Sequence, residues 1–257
     1  MTRNQLKKIV LIVGFSLFTF AGVSTAEEKD PPRLTMFIGV DVSGSFMKSR
    51  YFDDSLNFLA HYIYGHLKGI AGLDVPKILF VGSLGGMKGG EPQTMYHIQN
   101  FEHKSVEGIH SELKRLFPKT HNDRYTDFNA FFKQAQTICK SKGLILRPIS
   151  IVLISDGEPD YPGQKGHDVS KIELQPFELI SRNVTIRLLY TDAKIGDQWS
   201  TKIKRSRVKV LTQDAKVMVS WKDAAILQPG KSFQDQSRFF DWLKDNVDSD
   251  AHSQTVD

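Results

Sequence analysis

Met36-Phe37-Ile38-Gly39-Val40-Asp41-Val42-Ser43-Gly44-Ser45 is the stretch on which the fold turns. The run from Leu34 to Val40 is uncharged and almost wholly apolar. That is the pattern of a strand buried on both faces, as in a parallel sheet. It stops at a carboxylate, and two hydroxyls follow at every second position. Three oxygen-bearing side chains therefore leave the C-terminal end of one buried strand within a single turn. Gly44 eases the bend. Hard divalent cations take oxygen donors of this kind.

Two other stretches match the first. Ile151-Val152-Leu153-Ile154-Ser155-Asp156-Gly157 is a second buried strand that ends in a carboxylate and a glycine. Tyr125-Thr126-Asp127-Phe128 places a threonine where a helix is expected to open. The strand pattern repeats at Ile78 to Val81, Ile149 to Ile154, Val184 to Leu189 and Val208 to Leu211, and Gln93 to Ile98 reads as a short edge strand. Helical spacing falls between them. Phe52, Leu56, Leu59, Ile63 and Leu67 share one face, as do Ile109, Leu113 and Leu116, with Ser105 as N-cap. Phe128, Phe131, Phe132, Ala135 and Ile138 form a stripe that Gly143 ends. Trp199 to Ile203 carries a weaker helical pattern, and Phe239, Phe240, Leu243 and Val247 a clear one.

Alternating strands and helices predict an α/β domain over 33–247. The expected form is a Rossmann-like doubly wound sheet, mostly parallel with a short antiparallel edge strand and helices on both faces. Residues 214–233 fit the alternation poorly and read as a β-hairpin or a loop. In such sheets ligands bind beyond the carboxyl ends of the strands, where the strand order reverses. If the strands ending at Val40 and Ile154 are neighbours there, Asp41 and Asp156 share one crevice.

Asp-x-Ser-x-Ser after the first strand, a threonine ahead of a central helix and a later strand ending in Asp-Gly resemble the von Willebrand factor A domain. That family carries a metal-ion-dependent adhesion site. The matching residues are Asp41, Ser43, Ser45, Thr126 and Asp156. The resemblance implies that Ser43 and Ser45 ligate the cation directly and Thr126 directly or through water. It implies that Asp41 and Asp156 act largely through water. Mg²⁺ is the expected ion, with Mn²⁺ and Ca²⁺ as alternatives. The implied partner is a protein that presents an Asp or Glu carboxylate to the metal. Phe46, Tyr125, Glu158 and Tyr161 flank these fragments and are expected to rim the partner surface. The alternative for each Asp and Ser is a helix cap or turn former.

The rest of the chain sets the location. Residues 1–26 comprise a basic start with Arg3, Lys7 and Lys8, a 15-residue apolar run from Ile9 to Val23, and Ser24-Thr25-Ala26. This is the pattern of a secretory signal peptide. Fifteen residues of helix reach roughly 22 Å, short of the ~30 Å hydrocarbon core. Cleavage after Ala26 and a periplasmic or secreted location are expected, with an uncleaved inner-membrane anchor as the alternative. Residues 27–32 read as a linker and 248–257 as a polar tail, and no integral membrane span is expected after cleavage. The chain of 257 residues has 34 basic and 29 acidic side chains, a net of +5. Removal of residues 1–26 leaves 31 basic against 29 acidic, so the mature domain is not marked as a nucleic-acid binder.

Cys139 is the one cysteine, which excludes an intramolecular disulfide framework and a multi-cysteine metal site. It is expected to be a buried hydrophobe. Gly85 to Gly90 lacks the Gly-Lys-Ser/Thr ending of a phosphate loop and reads as a surface loop. The eight histidines form no zincin motif, and no Gly-x-Ser-x-Gly elbow is present. Lys202, Lys204, Arg205, Arg207 and Lys209 form a basic run that reads as a solvated face, or as a surface for acidic partners or anionic lipid. The leading expectation is a non-enzymatic binding module, an accessory of an envelope or surface assembly. A metal-dependent phosphohydrolase would share the carboxylates, but no nucleophile or base stands out for it. A structural envelope component with a degenerate site is the third reading.

Overall fold

In the computed structural model the described residues are 33–85, 94–120, 124–161, 163 and 166–248. Six strands form one sheet in the order β3-β2-β1-β4-β5-β6. They are β1 (Leu34–Asp41), β2 (Pro76–Leu84), β3 (Met95–His97), β4 (Ile149–Ile154), β5 (Val184–Thr191) and β6 (Lys209–Asp214). All neighbouring pairs are parallel except β2 with β3. The short antiparallel edge strand is therefore present, at Met95–His97. Gln93 and the glycine-rich run after Gly85 lie outside the described residues, as do residues 1–32 and 249–257.

The helices are α1 (Gly44–Lys48), α2 (Phe52–Lys68), α3 (Val106–Leu116), α4 (Phe128–Ser141), α5 (Gln175–Glu178), α6 (Ala193–Lys202), α7 (Ala215–Met218) and α8 (Ser237–Asn246). They divide between the two faces of the sheet because side chains alternate along each strand. Met36, Ile38 and Val40 of β1, with Val152 and Ile154 of β4, pack against α2, α3, α7 and α8. Phe37 of β1, with Ile151 and Leu153 of β4, packs against α4, α5 and α6. Ser105 caps α3, its Oγ accepting from Gly108 N at 3.2 Å. The described residues, from Arg33 to Asp248, form one compact unit. Both faces of its sheet are covered from within, so the unit carries its own core.

Three expectations need correction. Residues 214–233 form no hairpin: they hold α7, a 3₁₀ turn at Val219–Lys222 and the start of another at Phe233. Trp221 is buried there, and its Nε1 donates to Asp54 of α2 at 3.2 Å, so tertiary contact holds the segment in place. The helix expected at Trp199 begins earlier, at Ala193, where Asp192 caps it by accepting from Ile195 N at 2.8 Å. Asp248 belongs to the domain rather than to a tail. It bonds Tyr62 and His66 and pairs with Arg187 at 3.2 Å.

Candidate metal site

The strand order reverses beside β1. The chain leaves β1 for β2 on one side and returns to β4 on the other. A crevice opens where β1 and β4 end, because the helices that follow these strands diverge to opposite faces. Val40 pairs with Ile154 in the register. The next residues, Asp41 and Ser155, therefore lie level, and Ser155 Oγ donates to Asp41 Oδ2 at 2.6 Å. Asp41 Oδ1 accepts from Ser43 N at 2.8 Å. The turn that follows brings the Ser43 and Ser45 hydroxyls within 3.1 Å of each other. Ser43 also caps α1, accepting from Phe46 N at 3.4 Å. The capping role thus falls on a side chain that the resemblance names as a ligand.

Asp156 is held from its main chain. Thr191 Oγ1 donates to the Asp156 carbonyl at 2.8 Å, and Trp199 Nε1 donates to the Gly157 carbonyl at 2.8 Å. Gly157 has φ +85°, and a Cβ there would lie 2.7 Å from Leu188 Cδ2 and 2.9 Å from Ile195 Cγ2. Glycine is required at that position, which accounts for the Asp-Gly pair. Asp156 Oδ1 accepts from Glu158 N at 3.1 Å.

Thr126 does not open α4. Its neighbour Asp127 does, accepting from Ala130 N at 2.9 Å. Thr126 instead forms an isolated antiparallel bridge with Asp160, whose N–H donates to the Thr126 carbonyl at 3.0 Å. The bridge ties the α4 entrance to the loop that carries Asp156. Gly85, at the end of β2, closes on the same segment, since a Cβ there would overlap the Tyr125 carbonyl oxygen. The three sequence fragments are thus brought together. Ser45 is exposed, Asp156 is half-buried, and Asp41, Ser43 and Thr126 are buried.

The electrostatics follow from burial. Asp41 is fully buried, and desolvation, then the charge of Asp156, pushes its carboxyl up to about 7. The hydrogen bonds from Ser155 and Ser43 oppose that shift, and among the described residues no Lys or Arg contributes to it. Burial also raises Asp156. Among the described residues no three His, Cys, Asp or Glu side chains cluster as a metal-binding group. The candidate set is different in kind, two carboxylates and three hydroxyls. An all-oxygen set around a buried carboxylate with no cationic partner among the described residues fits a hard divalent ion.

Two of the expected rim residues do not face solvent. Phe46 is 1% exposed and packs edge-on against Phe52, centroids 6.1 Å apart, because α1 turns it into the core. Tyr161 is 8% exposed, and its hydroxyl has no hydrogen-bond partner among the described residues. Tyr125 is half-buried, and the Glu158 side chain is 43% exposed and 3.7 Å from His167. Ser155 was missed as a site residue. The clue was its position, a hydroxyl at the strand end directly before Asp156. Cys139 is buried as expected, and burial pushes its thiol up to about 11.

No family model and no curated protein matches the chain. Solved structures do. The chain is similar to proximal thread matrix protein 1 from the mussel byssus at 14% identity, covering 73% of this chain and 46% of that one, with a TM-score of 0.43. It is similar to the pilus adhesin SpaC from Lactobacillus rhamnosus GG in its open conformation at 10% identity, covering 85% and 31%, with a TM-score of 0.45. The human COPII-coat protein Sec24c matches at 10% identity over 76% and 32%, with a TM-score of 0.44. The chain spans less than half the length of each of these structures.

Proposed function

We propose that the protein is an exported binding module of the von Willebrand factor A type that engages a protein partner through a divalent cation. The observation that carries this reading is the meeting of Asp41, Ser43, Ser45 and Asp156 at the crevice between β1 and β4, with Ser155 fixing Asp41. Ser43, Ser45 and Thr126 would hold the ion, with Asp41 and Asp156 orienting the water and hydroxyls around it. Bound there, a divalent ion supplies an open coordination position for a partner carboxylate. Mg²⁺ is the proposed ion, with Mn²⁺ or Ca²⁺ as its substitutes.

The chain's own residues do the rest. Asp41 and Asp156 balance a 2+ charge. Ser155 and the Ser43 N–H keep the Asp41 carboxylate in a single orientation. The exposed Ser45 hydroxyl marks the side from which a partner approaches. No enzymatic role is proposed, and the location is periplasmic or secreted. Among the described residues no helix is long and apolar enough to cross a membrane.

The test is a divalent titration of residues 27–257 after chelation, read by thermal stability beside Asp41→Ala. A native-state ligand at a hundredfold excess over its Kd raises stability by about 2.7 kcal/mol. A rise in the parent that is absent from the mutant supports the site. Equal rises in both would remove it.

A further inference from the structure

The opposite pole of the sheet carries a feature that the cation site does not use. Parallel strands place the starts of β1, β4, β5 and β6 together, as the pairings Thr35 with Ile149, Ile149 with Val184 and Thr185 with Lys209 record. Four large hydrophobic side chains are exposed among the described residues, and three of them lie at this pole. Ile145 is 51% exposed, Leu146 75% and Leu179 85%. They stand on two adjacent loops. Leu146 N donates to the Ile180 carbonyl at 2.8 Å, and Ser181 Oγ donates to the Arg147 carbonyl at 2.6 Å. Leu146 sits at φ +68°, a backbone state that is uncommon for leucine and holds it outward.

Exposed basic residues flank these three along the chain. Lys140 precedes the first loop and Arg182 closes the second, whereas the Lys142 ammonium lies 6.0 Å over the Phe80 ring. The next loop brings exposed Lys204 and Arg207 alongside, since Glu178 accepts from Arg207 N at 2.8 Å and its carbonyl accepts from the Arg207 guanidinium at 2.7 Å. Glu178 is the acidic group among them, and its Oε1 accepts from both Ser206 N and Arg207 N. A chain with 31 basic and 29 acidic residues after Ala26 has thus gathered positive charge where its aliphatic side chains protrude.

We propose that this pole docks on an anionic phospholipid bilayer, with Ile145, Leu146 and Leu179 entering the headgroup boundary and the Lys and Arg side chains meeting the phosphates. The three aliphatics project from loop tips rather than line a groove, which suits a fluid surface more than a protein pocket. Thr35 N donates to the Pro148 carbonyl at 2.9 Å, so the start of β1 lies beside the end of the first of these loops. Docking in this way points the crevice of Asp41 and Asp156 away from the bilayer, at the other end of the strands.

Flotation of residues 27–257 with vesicles tests this, phosphatidylglycerol vesicles against phosphatidylcholine, in low and high salt and with chelator throughout. The expected result is at least tenfold more protein floating with phosphatidylglycerol, falling as salt screens the charges. Leu146→Asp with Leu179→Asp, and separately Arg182→Glu with Lys204→Glu, should each lower the floating fraction about tenfold with unchanged melting temperature. Aspartate accepts the left-handed backbone at 146, so that variant is expected to fold. Equal flotation on both vesicle types, flotation untouched by either pair, or none at all overturns the proposal. Patch-dependent binding to polyglutamate without flotation assigns the surface to an acidic protein instead. Chelation separates this outcome from any failure of the cation site.

Discussion

Ser155 and Asp41 are 114 positions apart, and the Ser155 hydroxyl donates to Asp41 Oδ2 at 2.6 Å in the buried floor of the crevice. Ser155 Oγ in turn accepts from Gly157 N at 2.9 Å, so one hydroxyl links the first carboxylate to the turn that carries the second. Ser155→Ala leaves the buried Asp41 with one fewer donor. A loss of about 1–3 kcal/mol is expected. Divalent affinity should fall with it. Denaturant unfolding and metal titration measure the two effects, and unchanged values in both would remove Ser155 from the site.

Asp41 is buried with its charge opposed by burial and by Asp156. In chelator at neutral pH, Asp41→Asn is expected to be more stable than the parent. The gain is on the order of 2–4 kcal/mol, the free energy that a shift of this size represents. Saturating Mg²⁺ should reverse the order, because only the parent binds it. Melting temperatures with and without the ion decide this; the same ranking in both conditions sinks it.

Gly157→Ala places a methyl group against Leu188 and Ile195 at a backbone with φ +85°. Both effects destabilise, by more than the ~1 kcal/mol of an ordinary glycine replacement. The loop bearing Asp156 should shift, so metal binding is expected to weaken alongside stability. An alanine variant with parental melting and affinity would show that the turn is not constrained as described.

Asp248 anchors the far end of the domain. Burial alone would raise its carboxyl, but the hydrogen bond from His66, the charges of His66 and Arg187 and the Tyr62 hydroxyl outweigh it and hold it below 3.8. A depressed carboxyl contributes stability that is full above its unfolded value and is lost as pH falls through the folded one. Asp248→Ala leaves Arg187 buried without its carboxylate and is expected to cost about 3–5 kcal/mol. Asp248→Asn should lose the acid-sensitive part alone. Unfolding followed from pH 6 down to pH 2 checks this: a parent and an Asn variant with parallel curves would mean that the pairing carries no stability.

Much of this was legible in sequence because it depends on local pattern. Met36 to Val40 and Ile151 to Ile154 are short, uncharged apolar runs, the pattern of strands covered on both faces. Phe52 to Leu67 repeats at helical spacing, and Ser105 stands where a cap is needed. Asp41, Ser43, Ser45 and Asp156 could be named because each directly follows a strand that announces itself. Phe46 was misjudged for the same reason. Adjacency to the motif says nothing of which way a one-turn helix points its side chain, and here it points into the core.

What the chain determined by itself was the set of buried strands, their likeness to a parallel sheet, and the oxygen-rich ends of two of them. Tertiary structure alone decided that β1 and β4 are neighbours in register, which sets Ser155 opposite Asp41. It alone tied Thr126 to Asp160, folded 215–222 against Asp54, and drew Asp248 to Arg187. The physical reason is separation along the chain. Periodicity and capping act over a few residues, whereas pairing between residues far apart depends on the packing of the whole sheet, which no local window of sequence contains.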